Sequence, residues 1–329
     1  MESLLKAAEE IDSMNRKQKK KRGKPEKACP ECNHINHARS SNCKSCDYTF
    51  YVRKKDKQER KKKKPVLTAD NADLHVLYEN SVQAVESEID FADETFTSLR
   101  KRQANFLRED FCGTANTSCE WVRRRAGNYA IGVDLDEPVL QWGREHHVAN
   151  LADHERQRIA LVKANVIEVE TPPQDIVLAM NFSYWIFKER ARLRDYFANV
   201  HASLGDDGIF FLDCYGGYDA SHVMKEHTKY DDYTYTWDQA AYNPITGEIL
   251  CHIHFKFKDG SRLKRAFTYD WRLWTLPEIR EILIEAGFSK VAVYWQGWDE
   301  DEEEGNGEFT AVEDADPDAG WISYIGAER

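Results

Sequence analysis

Residues 105–125 read NFLREDFCGTANTSCEWVRRR, and Ile131–Asp136 read IGVDLD. The first stretch opens apolar, passes through Arg108, Glu109 and Asp110, and turns at Cys112-Gly113-Thr114. It then continues at helical spacing, with Thr117, Trp121 and Arg124 on one face. Arg123 to Arg125 followed by Gly127 fit a helix C-terminus, where cations complement the dipole and glycine stops the helix. The second stretch is a short apolar run ending in carboxylates about 20 residues after the turn. Strand, tight turn, helix, strand, acid is the order in which α/β folds build a nucleoside site. The helix N-terminus offers free N–H groups, and the acid takes the ribose hydroxyls.

Further along stand DIVLAMNFSY (residues 175–184) and GIFFLDCYGG (residues 208–217). In order, REDFCGTA, GVDLD, DIVLAMNFSY and GIFFLDCYGG resemble the motif series of class I S-adenosylmethionine-dependent methyltransferases, over roughly Leu67 to Arg329. The resemblance implies an α/β fold with a Rossmann-like seven-stranded sheet, S-adenosylmethionine as cofactor, and transfer of its methyl group. In the family's acidic-x-Gly-x-Gly-x-Gly pattern, Glu109 takes the acidic position and Gly113 keeps the second glycine. Phe111 and Ala115 replace the first and third. Cofactor contacts are thereby expected from Glu109, Phe111, Cys112, Gly113, Thr114, Asp134, Leu135, Asn165, Val166, Asn181 and Phe182, with Asp134 on the ribose. Asn165 has two readings, receiving the adenine amino group or closing a turn. Asp136, with Pro138 behind it, starts the next helix.

Acceptor contacts are assigned to Tyr78, Tyr184 and Tyr215. Tyr78, Ser81 and Gln83 belong to a helix-loop-helix segment from Leu74 that the resemblance makes a cap over the cofactor; packing alone is the other reading of Tyr78. Asn181-Phe182-Ser183-Tyr184 departs from the Asn-Pro-Pro-aromatic signature of methylases acting on planar nucleic-acid nitrogens. A small molecule or protein side chain is therefore favoured as acceptor over RNA. After the fifth strand, 232–271 reads as an antiparallel insertion, with turns at Asn243-Pro244 and Lys258-Asp259-Gly260-Ser261. Its aromatics (Tyr233, Tyr235, Trp237, Tyr242, Trp271, Trp274) either line a pocket or pack the sheet. Thr275-Leu276-Pro277-Glu278 is a capping box. Val291–Trp295 and Trp321–Ile325 are expected as a closing antiparallel pair, with Asp299–Asp318 between them an acidic mobile loop.

The N-terminal part differs in kind. Residues 1–65 hold 20 Lys+Arg against 9 Asp+Glu, the rest 26 against 48. A basic arm on an acidic body suggests different partners for the two, and the acidic body argues against a polyanion on its surface. Residues 1–27 read as a disordered basic arm with a short amphipathic helix over 1–15, and 53–66 as a basic linker. Between them, residues 28–52 carry Cys29, Cys32, Cys43 and Cys46 at C-x2-C-x10-C-x2-C spacing. Two such knuckles place four thiolates around structural Zn2+, and so short a segment depends on the metal to fold. This resembles a zinc ribbon. Asn33 and Asp47 follow the knuckles, where left-handed backbone is needed. The basic flanks suggest a nucleic-acid or protein partner, including an RNA- or ribosome-associated methyltransferase as an alternative reading.

No apolar run approaches a membrane span, and the N-terminus lacks a secretory pattern. The expectation is a cytoplasmic protein, nuclear if eukaryotic, without a membrane partner. No HExxH, Walker lysine or GxSxG motif occurs. Methyl transfer from a sulfonium asks the protein for position and an apolar site more than for a base. No catalytic base is assigned, and His201, His222, His227, His252 and His254 are weak candidates. Cys112 reads as a pocket wall. A catalytically inactive methyltransferase-like binding module remains the alternative, on the strength of Phe111 and Ala115.

Overall fold

The computed structural model describes residues 26–37, 42–46, 66–299 and 304–329. The expectations for residues 1–25 and 47–65, including the amphipathic helix and most of the linker, lie outside the described residues. The chain divides into two compact units, residues 1–65 and 66–329. In the first, β1 (Glu26–Ala28) and β2 (Ile35–His37) form an antiparallel hairpin with Ala28 opposite Ile35. Asn33 takes the left-handed conformation in its turn, with φ 57°, as its place after the first knuckle predicts.

The second unit starts with α1 (Leu74–Val82) and α2 (Val85–Arg100). The deciding stretch then becomes β3 (Phe106–Asp110), a turn, α3 (Asn116–Arg124) and β4 (Tyr129–Asp134). There follow α4 (Glu137–His146), the one-turn α5 (Asp153–Arg156), β5 (Ile159–Lys163), β6 (Gln174–Ala179), α6 (Arg190–Ser203) and β7 (Leu204–Gly216). Strands β5, β4, β3, β6 and β7 lie side by side in that order, all parallel. The order reverses between β3 and β6, and ligands of open α/β sheets bind at such a point, beyond the strand ends.

Sequence period explains the layering. In β6, Ile176 and Leu178 face a core with Phe96, Trp121 and Phe211, whereas Val177 and Ala179 face one with Tyr196, Phe197 and Phe210. A central parallel strand covered on both faces must be apolar throughout, hence the unbroken run at residues 176–180. Helices α2 and α3 supply the first layer. The second comes from α6 and α7 (Leu276–Glu285), the latter opened by the expected capping box: Glu278 N–H donates to Thr275 Oγ1 and Thr275 N–H to Glu278 Oε2.

The insertion is larger than predicted. Besides β9 (Tyr233–Tyr242), β10 (Glu248–Phe257) and β11 (Arg262–Arg272), it includes β8 (Met224–Lys229), giving an antiparallel sheet ordered β11-β10-β9-β8. The closing pair, β12 (Lys290–Asp299) and β14 (Trp321–Glu328), is antiparallel as expected and docks on β7. The acidic loop expected over residues 299–318 is corrected in part: β13 (Glu304–Val312) pairs with β12 and adds an eighth strand beside the seven, while residues 313–318 form no helix or strand. Half-buried Phe309 stacks on Tyr324 with ring centroids 3.9 Å apart, and this contact together with the ladder to β12 holds the strand despite the acidic composition around it. Among the described residues, no helix is long and apolar enough to cross a membrane.

One close approach fixes the site's floor. A Cβ on Gly143 of α4 would sit 2.3 Å from the Thr114 carbonyl oxygen. Alanine in a helix interior ordinarily stabilises relative to glycine by roughly 0.5–1 kcal/mol. Here Gly143→Ala is expected to destabilise instead, by about 1–3 kcal/mol, as a lower Tm. An unchanged or raised Tm would show that the 113–115 turn yields freely.

Candidate functional site

The turn between β3 and α3 holds three residues in the left-handed region: Phe111 (φ 56°), Gly113 (φ 52°) and Ala115 (φ 60°). These are the three positions where the sequence motif has, or replaces, glycine. Left-handed backbone costs a non-glycine residue about 1–2 kcal/mol, so surrounding contacts must hold the turn. Cys112 N–H donates to the Val133 carbonyl at 3.0 Å, and Gly113 N–H to Asp134 Oδ2 at 2.8 Å. Glu109 Oε2 accepts from the Ser118 N–H (2.8 Å) and hydroxyl (2.5 Å), capping α3 from the preceding strand. Asp136 caps α4 as expected, accepting from the Val139 N–H.

Above this turn lies a cavity of about 330 Å³. Of the eleven expected cofactor residues, it is walled by Glu109, Phe111, Cys112, Gly113, Thr114, Asp134 and Asn181. Four lie elsewhere. Leu135 is 61% exposed and does not line the cavity, and Val166 is in the core. Asn165 closes a turn, its Oδ1 accepting from the Ile167 N–H at 3.1 Å. Phe182 lines a second cavity, of about 480 Å³, together with Tyr215, Trp237, Gln239 and Trp321. Tyr78, Asn181, Tyr269 and Trp271 line both cavities and form their common wall.

Of the three tyrosines assigned to the acceptor, Tyr78 and Tyr215 line the larger cavity. Tyr184 is corrected: it is fully buried, its hydroxyl donates to the Asp213 carbonyl at 2.7 Å, and it reaches neither cavity. The five weak histidine candidates also line neither; His252, for example, bonds Thr268 and His254 bonds Asp238. Cys112 is a wall residue, its thiol pushed well up by burial and by the carboxylates of Glu109 and Asp134.

Helix α1 straps the smaller cavity. Glu79 Oε1 accepts from the Thr114 hydroxyl and meets His147 Nε2, both at 2.6 Å. Asp73 accepts from Trp142 Nε1 at 3.0 Å, and Gln83 from Asn116 Nδ2 at 3.1 Å. On its other side, Ser81 bonds the Tyr233 hydroxyl of the insertion at 2.9 Å.

Two buried carboxyl groups, Glu88 and Asp213, escaped the sequence reading of function. Burial pushes Glu88 and Glu109 up to about 7 and Asp213 up to about 8. Asp213 accepts from the Asn181 and Phe182 N–H groups, at 2.6 and 2.8 Å, and so holds two successive left-handed residues after β6. Glu88 stands among other acids in the sequence, and Asp213 lies within GIFFLDCYGG without being singled out there. Phe267 and Tyr269, also missed, alternate with Trp271 in β11, and that period of two was the available signal.

In the first unit, the Sγ atoms of Cys29, Cys32, Cys43 and Cys46 all lie within 4.8 Å of one another. The Cys29–Cys46 and Cys32–Cys43 separations are both 3.6 Å. A tetrahedral site with metal–sulfur bonds of about 2.3 Å needs sulfurs ~3.8 Å apart, so the four residues fit zinc. Asn36, buried and not singled out by the sequence, ties the knuckles together. Its Nδ2 donates to the His34 carbonyl (2.8 Å) and to Cys43 Sγ (3.5 Å), and its Oδ1 accepts from the Lys44 N–H (2.9 Å). Donors at a thiol favour the thiolate, the metal-binding form.

Residues 66–329 thus have the fold of class I S-adenosylmethionine-dependent methyltransferases, with cavities at the switch point of the sheet. Solved structures agree. The chain is similar to an S-adenosylmethionine-dependent methyltransferase from Clostridium acetobutylicum (TM-score 0.56, 14% identity, 76% of this chain and 96% of that one). It is similar to CalS10, an amino pentose methyltransferase from Micromonospora echinaspora (TM-score 0.55, 13% identity, 78% and 96%), and to DesVI of Streptomyces venezuelae (TM-score 0.56, 16% identity, 79% and 99%). Comparison with models of known protein families and with curated protein sequences finds no match.

The carboxyl groups give a pH test. A folded-state value raised above the unfolded one stabilises the fold fully at low pH, and that stability is lost as pH rises through the folded value. For Glu88 the window runs from about 4.5 to about 7. Glu88→Gln is therefore expected to match wild type near pH 4 and to exceed it by about 3 kcal/mol at pH 8, read by urea unfolding at both. A pH-independent difference would refute burial as the cause.

Proposed function

We propose that the smaller cavity binds S-adenosylmethionine and that its methyl group passes to an acceptor held in the larger one. The observation that carries this reading is the common wall of Tyr78, Asn181, Tyr269 and Trp271 between two cavities at the sheet's switch point. When bound, the cofactor supplies an activated methyl on a sulfonium. The chain supplies the rest. Asp134 retains lone pairs for ribose hydroxyls beyond those used by Gly113 and Asp136. The left-handed turn brings backbone close to the ligand, and α1 keeps water from above. Asn181, fixed by Asp213, positions the reacting centre. CalS10 acts on an amino pentose, which supports a small-molecule acceptor here. That Phe111 and Ala115 adopt the glycine conformation supports a working site over an inactive binding module.

For the first unit, the proposal is structural zinc on Cys29, Cys32, Cys43 and Cys46, which orders the hairpin and the second knuckle together.

Calorimetry tests the cofactor. Wild type is expected to bind S-adenosylmethionine and S-adenosylhomocysteine with micromolar Kd, and Asp134→Ala to bind both at least about 10-fold more weakly, the loss of a charged hydrogen bond being worth roughly 1.5–3 kcal/mol. Well-folded protein that binds neither ligand would sink the reading. For zinc, mass spectrometry of the native chain should find one ion, and the double variant C32S/C46S none; full metal content in the variant would refute the site.

A further inference from the structure

We propose that the acceptor in the larger cavity is a small amine; this rests on the methyl-transfer reading above. The first argument is the face that the insertion turns inward. Ladder registers place Trp237 between Glu226 and Ile253, Tyr269 opposite Cys251, and Trp271 opposite Ile249. Strand alternation therefore gathers Tyr235, Trp237, Tyr269 and Trp271 on one side of the sheet, all lining the cavity. Trp271 and Tyr269 have ring centroids 4.3 Å apart, and Trp237 lies 5.8 Å from Tyr269. The body contributes Tyr215 and Phe182, 4.8 Å apart and edge to face. Aromatic faces carry negative potential and attract cations.

Charge points the same way. The ionisable groups at the rim are Asp219 and Glu226, and among the described residues lining either cavity there is no lysine and no arginine. The adjacent Lys225 alternates to the opposite face of β8, where its Nζ lies 2.8 Å from Asp238. An acceptor bearing phosphate or carboxylate would meet repulsion without a counter-charge. A cation meets attraction from both walls and rim.

The chemistry at the common wall selects further. Hydroxyl acceptors need a base at the reacting atom. The four residues shared by the cavities are two tyrosines, an asparagine and a tryptophan. Burial pushes the Tyr78 hydroxyl up to about 12 and raises that of Tyr269 as well, so both stay neutral near pH 7 and orient without accepting a proton. An amine held as its ammonium gives one proton to water at the open rim before it reacts, and the neutral amine that remains needs no base at the reacting atom. Its lone pair forms the N–C bond as the C–S bond breaks, and that electron pair stays on sulfur. The positive charge moves from sulfur to nitrogen inside the aromatic walls. A primary or secondary amine then releases its N–H proton to water at the open rim; a tertiary one keeps the charge.

The test uses the full zinc-loaded chain saturated with S-adenosylhomocysteine and three probes of nearly equal shape: choline (cationic), 3,3-dimethylbutan-1-ol (neutral) and 3,3-dimethylbutanoate (anionic). Choline is expected to bind about 10-fold or more tighter than the alcohol, and the carboxylate most weakly, as cation–π attraction in a desolvated site allows. Trp237→Leu, at a half-buried position, should narrow the choline preference to about threefold or less. Equal or weaker binding of choline, or no measurable binding of any probe, overturns the proposal. A preference undiminished by both Trp237→Leu and Tyr235→Leu also overturns it, because the aromatic face would not be its source. If S-adenosylhomocysteine itself fails to bind, the methyl-transfer reading falls and takes this one with it. If it binds and the cation preference is absent, this proposal alone falls.

Discussion

The hydrogen bond from the Gly113 N–H to Asp134 Oδ2, 2.8 Å long, ties the end of β4 to the turn after β3. Around it the strand ends cannot separate, and the turn cannot relax out of its left-handed conformations at Phe111, Gly113 and Ala115. Gly143 lets α4 close on the Thr114 carbonyl from outside. Glu79 grips the Thr114 hydroxyl from above. The smaller cavity is what remains between these constraints. Its shape is thus set by backbone geometry, which tolerates side-chain replacement better than a surface built of side-chain tips. That accounts for a glycine-poor version of a glycine-rich turn.

How far the sequence could be read depended on what each signal encodes. The acid-ended run that becomes β4 and the apolar run that becomes β6 were legible, because parallel strands covered by helices must be apolar and are bounded by polar turns. The place of Asp134 at the cavity and the clustering of the four cysteines were legible because the expected chemistry sets those residue types at those spacings. The left-handed backbone at Phe111 and Ala115 was not, since neither residue prefers it and only the neighbours impose it. Tyr184 misled because a tyrosine after β6 looks the same in sequence whether its ring turns to the cavity or, as here, to Phe197. Composition misled at β13, where acidic residues flank a strand held by Phe309 and by pairing to β12. The common wall draws on α1, the β6 loop and β11, elements separated from one another by about 80 residues or more; no local pattern announces such a meeting.

The antiparallel insertion changes what a Rossmann-like sheet can do. The parallel strands offer only their ends to a ligand, whereas the insertion offers a whole face, with every second residue available. Phe267 reaches the smaller cavity, and Tyr269 and Trp271 reach both. A single strand therefore touches both ligands of the proposed reaction, and its pitch of two residues sets the spacing between them.

Strand β13 closes the row of eight, and among the described residues nothing pairs with its outer side. A free edge is an invitation for a second chain to continue the ladder. This one carries Glu308 and runs into Glu313 and Asp314, while Gly307 has φ 72° and interrupts its extended run. Two copies approaching edge to edge would bring like charges together along a line too irregular to form continuous bonds. The acidity of this segment opposes the pairing of two such edges.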